Sequence, residues 1–256
     1  MRSVCGKNIL MDWVYLSPHL DDVALSCGGM VWEQVRAGNR VSIWTICAGD
    51  PAEEDLSPFA KSLHDRWGNH VNSTISRRVE EDLASCAILG ADACHFEVLD
   101  CIYRRSPDSG YFLYDSEELL TGPIHPSDKI LADRLGEDLA NLLPQGARVV
   151  CPLAAGDHVD HHLTRATAEN TALPLFYYVD YPYVLDAPGQ LAALRRDGWT
   201  TVRTRVSEQG MDAWEKAVAA HTSQISTFWD NLDGMRAELR DYRRLGVGST
   251  LWQPPK

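Results

Sequence analysis

The chain has 256 residues, of which 45% are hydrophobic and 23% are charged, and its formal net charge is −12. This composition is typical of a globular protein with a sizeable core. The acidic balance argues against a nucleic-acid-binding protein, because an acidic surface repels phosphate backbones. No apolar run reaches the roughly 20 residues of a membrane span, and residues 1–12 lack the apolar stretch of a signal peptide. We therefore expect a cytoplasmic protein with no membrane span.

Seven cysteines are scattered along the chain without a Cys-x-x-Cys pair. Their number is odd, and several lie within apolar runs. We interpret them as small buried hydrophobic residues in a reducing compartment. A zinc–thiolate site is not expected.

The first hundred residues alternate apolar runs of strand length with amphipathic helical segments. The predicted elements are, in chain order, a strand at Trp13–Ser17, a helix at Val23–Ala37, a strand at Val41–Cys47, a polar loop at 48–72, a helix at Ser76–Leu89 and a strand at Cys94–Leu99. The opening strand, helix and strand form a βαβ unit, which implies a parallel sheet.

The same alternation continues to the end of the chain. The predicted elements are an irregular stretch at 102–126, a helix at Asp128–Leu143, a strand at Val149–Leu153, a helix at His161–Thr171, strands at Leu175–Val179 and Thr201–Val206, and helices at Met211–Trp229 and Gly234–Arg244. We predict a single α/β domain over residues 1–256, a Rossmann-like, mostly parallel sheet in an α/β/α sandwich. Ligands bind such sheets beyond the carboxyl ends of the strands, which here are followed by residues 17–22, 48–51, 100–105 and 154–162.

Two of these strand-end segments combine imidazole with carboxylate groups. They are Ser17–Asp22, with the sequence SPHLDD, and Gly156–His162, with the sequence GDHVDHH. Either one alone is typical of a helix N-terminus, where an acidic side chain caps the helix and complements its dipole. Because parallel strands bring such segments to one edge of the sheet, the two together predict a metal site.

The residues of the two segments can supply each part of a metal-assisted hydrolysis. A catalytic zinc ion takes about three protein ligands and leaves one position for water, whose pKa it lowers to about 7. A carboxylate that is not a ligand can remove the proton of this water, and an imidazolium can stabilise the oxyanion. The candidates are His19, Asp21, Asp22, His158, Asp160 and His161. Two histidines and a carboxylate also describe non-haem iron oxygenases, but the extra acid–base groups favour hydrolysis.

At these residues the sequence resembles the PIG-L/LmbE-like deacetylase family. The family's His-Pro-Asp-Asp type motif corresponds to Pro18–Asp22, with Leu20 where the family has proline, and its His-x-Asp-His motif corresponds to His158–His161. Two weaker motifs, Arg-x-x-Glu at Arg78–Glu81 and His-x-Ser-Gln at His221–Gln224, also match.

The resemblance implies a role for each matched position. His19, Asp22 and His161 would bind Zn²⁺, with Fe²⁺ or another divalent ion as an alternative. Asp21 would be the general base, and His158, oriented or tuned by Asp160, would stabilise the oxyanion and assist departure of the amine. Arg78 and Asp100 would contact substrate hydroxyls. The last two have structural interpretations as well, because Arg78 can pair with a neighbouring acid and Asp100 can cap a turn.

The resemblance implies a metal-dependent deacetylase that hydrolyses an N-acyl, most simply N-acetyl, amide on a small amino sugar or sugar-containing metabolite. Two alternatives remain: an amidase that acts on a thiol conjugate or a natural-product scaffold, and a nucleotide-binding α/β module without catalysis. We expect specificity to lie in loops 50–72 and 102–126. The sequence does not decide whether the chain forms a homo-oligomer.

Four further features have interpretations that only a structure can separate. Gly28 and Gly29 predict close packing of a helix on the sheet. Tyr103–Arg105 fits either a contact with a polar or anionic substrate or a solvated turn. The aromatic residues of 176–183 fit either a sugar-stacking wall or the core. His221 and Gln224, one turn apart on a predicted helix, fit either a structural role or a role at the site.

Overall fold

In the computed structural model, which describes residues 11–52, 56–66 and 74–255, seven strands form one sheet with helices on both faces. The strands are β1 (Asp12–Ser17), β2 (Arg40–Thr45), β3 (Asp92–His95), β4 (Arg148–Pro152), β5 (Leu175–Tyr178), β6 (Thr200–Arg203) and β7 (Thr250–Gln253). The helices are α1 (Asp22–Arg36), α2 (Pro58–Arg66), α3 (Thr74–Leu89), α4 (Pro126–Leu142), α5 (Val159–Asn170), α6 (Pro188–Arg196), α7 (Glu208–Ala220), α8 (Ile225–Phe228) and α9 (Leu232–Leu245). Short 3₁₀ turns cover Cys101–Tyr103, Glu117–Leu120 and Tyr183–Leu185.

The order of the strands across the sheet is β3-β2-β1-β4-β5-β7-β6. The first five strands in this order are parallel, whereas β7 lies antiparallel between β5 and β6. The predicted single-domain α/β fold is therefore confirmed. Strand β7 and helices α2 and α6 were not predicted from the sequence, and β3 ends at His95 rather than at Leu99.

Strand β1 is buried on both faces of the sheet. It is third in the order of seven strands, so its carboxyl end lies near the middle of the sheet edge. Trp13 and Tyr15 pack with residues of α1 and α3, whereas Val14 and Leu16 pack with residues of α4 and α5. Because successive side chains of a strand point to opposite faces, a shift by one residue would exchange the two sets, and burial fixes the register. Neighbouring β4 is parallel to β1, so the segments after both strands emerge side by side.

Gly28 and Gly29 permit close packing of two helices, and not of a helix on the sheet as predicted. A Cβ atom at Gly28 would lie 2.8 Å from Trp214 Cδ1, and one at Gly29 would lie 2.7 Å from Trp214 Cε3. Trp214 of α7 is fully buried, and its indole N–H donates to the carbonyl oxygen of Ala24. A side chain at either glycine would displace this tryptophan.

We expect Gly29→Ala to lower the free energy of unfolding by about 1–3 kcal/mol, because the added methyl group overpacks a rigid contact. Urea unfolding of the wild type and the variant measures the difference. Gly189→Ala in α6 is the matched control, since no atom of the described residues lies within 4 Å of its added Cβ. Equal destabilisation by both substitutions would show that the contact with Trp214 does not determine the result.

The predicted helix Met211–Trp229 is wrong, because α7 ends at Ala220 and α8 begins at Ile225. The chain leaves helical geometry at His221, with φ −78° and ψ 60°. The Glu81 carboxylate accepts hydrogen bonds from Thr222 Oγ1, from the backbone N of Ser223 at 3.0 Å and from Ser223 Oγ at 2.6 Å. These bonds satisfy donors just beyond the helix end and join the two weaker family motifs to each other.

We expect Glu81→Ala to destabilise the fold by about 1–3 kcal/mol near neutral pH, because buried donors lose a charged acceptor. Burial acts to raise the pKa of Glu81, but the hydrogen bonds from Ser223 and Thr222 outweigh it and lower the pKa. A lowered folded-state pKa stabilises the fold above the unfolded pKa of about 4.3, and this contribution is lost as the pH falls through the folded value. Urea unfolding at about pH 7 and about pH 3 should therefore show a smaller difference between wild type and variant in acid. An equal difference at both pH values would contradict this prediction.

Candidate active site

The two predicted metal-binding motifs meet at the carboxyl ends of β1 and β4. His19 Nδ1 lies 3.1 Å from Asp22 Oδ2, and the same oxygen lies 3.5 Å from His161 Nε2. Asp22 and His161 are buried, and 12% of the His19 side chain is exposed. The three residues can present one ligand atom each within 4.8 Å of one another. The structure thus brings together the three predicted ligands.

Local hydrogen bonds shape both motifs. Asp22 opens α1 and accepts a hydrogen bond from the backbone N of His19 at 2.8 Å. His158 caps α5, where its Nδ1 accepts from the backbone N of Asp160 at 3.2 Å. Asp21, at the start of α1, makes no capping hydrogen bond with its side chain, and the cap of α5 is an imidazole, so the predicted acidic side-chain cap is wrong. Asp22 and Asp160 lie in the first turns of the two helices, where their charges complement the helix dipoles.

Each of the two predicted histidine ligands contacts a carboxylate through the ring nitrogen that faces away from Asp22. His19 Nε2 lies 3.0 Å from Asp160 Oδ2, and His161 Nδ1 lies 2.7 Å from Asp180 Oδ1. A histidine that donates its N–H to a carboxylate directs the lone pair of its other nitrogen away from it. In both residues that other nitrogen faces Asp22.

The residues present fit a divalent metal ion. Within the described chain, His161 Nε2 is buried without a hydrogen-bond partner and faces an oxygen of Asp22. A nitrogen lone pair and a carboxylate oxygen this close are mutually repulsive unless a proton or a metal ion lies between them. Two imidazoles and a carboxylate are a donor set that Zn²⁺ accepts, and Fe²⁺ accepts similar sites.

Asp21 lies beside this cluster but outside the donor set. Its side chain is buried, lines the cavity above the cluster and lies 3.6 Å from an Arg78 nitrogen. Burial raises the pKa of Asp21, and the positive charge of Arg78 acts against this rise. Arg78 lines the same cavity, so it is placed both to pair with Asp21 and to meet a substrate.

His158 also lines the cavity, with its ring centroid 5.1 Å from that of His19 and 5.3 Å from that of His161. Burial and the two neighbouring histidines lower the pKa of His158 to about 4. Its imidazole is therefore neutral at neutral pH, in contrast to the imidazolium considered from the sequence. Because Nδ1 accepts from the Asp160 backbone, the ring proton lies on Nε2.

Asp160 holds His158 through its backbone N–H, whereas the carboxylate of Asp160 forms its contacts with other residues. One oxygen contacts His19 Nε2 and accepts from the backbone N of Cys101 at 2.9 Å, and the other accepts from Arg104. Asp100 lines the cavity, lies 3.5 Å from His19 Nε2 and accepts from the backbone N of Ile102 at 3.2 Å. It therefore caps the 3₁₀ turn and also faces the site.

Asp180 was missed from the sequence, and Arg104 was assigned the wrong surroundings. Asp180 follows β5 and satisfies the same strand-end rule that identified the motifs, but the segments selected did not include it. Arg104 is buried between Asp160 and Asp128, at 2.9 Å from the latter, and lies over the Tyr114 ring. Because Arg104 is buried, both interpretations of Tyr103–Arg105, a substrate contact and a solvated turn, are wrong for this residue. The burial of an arginine leaves no local signal in the sequence.

The cavity above the cluster has a volume of about 550 Å³ and an apolar outer wall. The wall comprises Leu63, Ile102, Leu120, Tyr183 and Phe228. Arg66 and Glu117 form an ion pair of 2.8 Å at the rim. Parts of both predicted specificity loops therefore line the cavity, and residues 53–55 and 67–72 of the first loop lie outside the described residues.

Of the aromatic residues at 176–183, Tyr183 alone lines this cavity, with its ring edge-on to His161 at 5.4 Å. Tyr177, Tyr178 and Tyr181 belong to the core, as the alternative interpretation predicted. Gln224 lines the cavity, whereas His221 is buried behind it. Among the described cysteines none is paired and only Cys94 is exposed, while Cys5 lies outside the described residues.

Comparison with known proteins agrees with this arrangement. Residues 14–172 match the family model PIG-L, described as GlcNAc-PI de-N-acetylase. The chain belongs to the PIG-L family. The match extends from within β1 to the end of α5 and includes both predicted metal-binding motifs. None of the helices described is long and apolar enough to span a membrane.

Individual members of the PIG-L family resemble the chain over most of its length. It is 27% identical to the 2'-N-acetylparomamine deacetylase of Niallia circulans over 76% of the chain and 74% of that relative. It is 29% identical to the Streptomyces fradiae enzyme of the same name, over 70% of the chain and 58% of that relative. The solved complex of a deacetylase with teicoplanin, from the biosynthesis pathway of teicoplanin, is 26% identical, with a TM-score of 0.77 and coverage of 95% and 97%. The predicted enzyme class, a deacetylase and thus a hydrolase, is confirmed, and the non-catalytic alternative is set aside.

Proposed function

We propose that the protein removes the acetyl group from an N-acetylated amino sugar within a small sugar-containing metabolite, with the aid of a zinc ion held by His19, Asp22 and His161. The observation that carries the proposal is the buried, unpartnered His161 Nε2, which lies 3.5 Å from Asp22, a residue that lines the cavity. The named relatives act on acetylated paromamine or on teicoplanin, which supports a sugar-containing substrate.

A zinc ion in this site would polarise the acyl carbonyl and make its water acidic. Asp21 is proposed to accept the proton of the attacking water, because it lies next to Asp22 and reaches the cavity without being a ligand. Its raised pKa suits a group that takes a proton and gives it up again. We therefore assign the proton transfer to the departing amine to Asp21 as well.

His158 is proposed to donate a hydrogen bond from Nε2–H to the oxyanion of the tetrahedral intermediate. A neutral imidazole can serve as this donor, and the backbone N–H of Asp160 holds its ring in the required tautomer. With a pKa of about 4, His158 carries little of its protonated form at neutral pH and is a poor general acid. For this reason we do not assign the amine's proton to His158.

Arg78 and Asp100 are proposed to bind hydroxyl groups of the sugar. Both line the cavity, and each is fixed by a partner on the protein side, Asp21 for Arg78 and the backbone of Ile102 for Asp100. The cavity of about 550 Å³ extends past them to the apolar wall, so the substrate would carry a further, less polar part.

The proposal is tested by acetate release from a panel of amides together with metal analysis of the purified protein. The panel contains N-acetylglucosamine derivatives, 2'-N-acetylparomamine, a glycopeptide with an N-acetylglucosamine unit and cysteine-linked amides. We expect release from a sugar substrate, loss of activity with EDTA and recovery with zinc. Hydrolysis confined to the cysteine-linked amides would favour the thiol-conjugate alternative, and a protein without bound metal would overturn the proposal.

A further inference from the structure

Asp180 is a buried carboxylate directly beyond β5, and only 1% of its surface is exposed. Oδ1 lies 2.7 Å from His161 Nδ1, and Oδ2 accepts a hydrogen bond from the backbone N of Ala155 at 2.8 Å. One oxygen is thus occupied by a side chain in the first turn of α5, and the other by the backbone of the segment between β4 and α5. A buried charge is retained at little cost only when it is paired in this way.

The contact with His161 selects one ring tautomer. With the proton on Nδ1, the ring donates to Asp180 and directs the Nε2 lone pair towards Asp22. With the proton on Nε2, the Nδ1 lone pair would face a carboxylate oxygen at 2.7 Å, which is repulsive. The carboxylate of Asp180 therefore prepares His161 as a donor to a cation.

The contact with Ala155 fixes the turn that carries the second motif. Ala154 and Asp157 in this turn have left-handed backbones, with φ 61° and 60°. Such conformations cost of order 1–3 kcal/mol each for residues other than glycine and persist only where the surroundings hold them. Asp180 ties the middle of this turn to the end of β5.

We propose that Asp180 is a positioning residue that sets the affinity of the site for its divalent metal ion, by fixing the tautomer of His161 and the turn before it. This inference rests on the proposed metal site. It assigns to Asp180 a contribution to metal binding and no contact with the substrate.

The test compares zinc dissociation constants, measured by competition with a chromophoric chelator, for the wild type, Asp180→Asn and Asp82→Asn. Asp82 is a matched control, because its carboxylate lies 2.7 Å from His95 Nε2, is also buried and faces no predicted ligand. We expect Asp180→Asn to bind zinc about 10–100-fold more weakly and to shift the visible absorption bands of the Co²⁺ form. Asp82→Asn should leave the dissociation constant and the Co²⁺ bands unchanged.

An unchanged dissociation constant in folded Asp180→Asn would overturn the role of Asp180 while leaving the proposed function intact. A wild type that binds no zinc would instead overturn the proposed function. If Asp180→Asn does not fold, ¹⁵N NMR of the zinc-loaded wild type decides the question. A His161 ring with its proton on Nδ1 and zinc on Nε2 supports the proposal, and the reverse arrangement refutes it.

Discussion

The Asp21→Asn variant is expected to keep its fold and its bound metal and to lose about 10²–10⁴-fold in turnover, the usual contribution of a general base. Asparagine has the same shape and can still contact Arg78, but it cannot accept the proton of the attacking water. Asp21 lies outside the set His19, Asp22 and His161, so its loss leaves every proposed ligand in place. Initial rates of acetate release and metal content per chain, measured on the same preparation, give both quantities.

Asp82→Asn serves again as the control, since it neutralises a buried carboxylate outside the cavity. Wild-type turnover in Asp21→Asn would show that another group takes the proton. Loss of metal from Asp21→Asn would show that Asp21 is a ligand, and the division of roles between Asp21 and Asp22 would have to be reversed.

The His161→Ala variant is expected to lose its tightly bound metal and to show no deacetylase activity above background. The substitution removes one of three donors and leaves the carboxylate of Asp180 buried without its imidazole partner. We therefore also expect a fall in stability of about 1–3 kcal/mol. Elemental analysis after dialysis measures the metal, and urea unfolding measures the stability.

His95→Ala is the control for this variant, because His95 forms the corresponding contact with Asp82 at a distance from the cavity. It should retain its metal and its activity. Stoichiometric, tightly bound zinc in His161→Ala would contradict the assignment of His161 as a ligand, even if the activity were lost.

The parallel strands β1, β4 and β5 were predictable because each is a short, largely buried apolar run. The errors lie where a distant partner decides the local structure. The sequence around His221 is compatible with a continuous helix, and it is Glu81, far away in the sequence, that captures Thr222 and Ser223 and ends the helix. Strand β7 has only four residues and forms through its pairing with β5 and β6.

The candidate site was predictable as far as its motifs reach. His19, Asp22 and His161 all follow the ends of parallel strands. Because parallel strands align their carboxyl ends, the three residues could be predicted to lie together. The motif also located Asp160 but not the direction of its carboxylate, which points to His19 and Arg104. Asp180 follows a strand and could have been selected by the same rule. Arg104 lies in a selected segment, but its burial between Asp160 and Asp128 depends on partners remote in sequence, which spacing and composition do not identify.

The burial of Arg104 has a consequence for how the range of substrates can change. Arg104 contacts Asp160, and Asp160 in turn contacts His19. Substitutions close to Arg104 would therefore disturb the proposed metal site and lower the activity before they changed which substrate is preferred. Leu63, Leu120 and Phe228 line the cavity from three separate elements, and none of them belongs to the proposed metal site. Directed evolution towards a new sugar conjugate is therefore best begun by randomising these three positions while Arg104 is held constant.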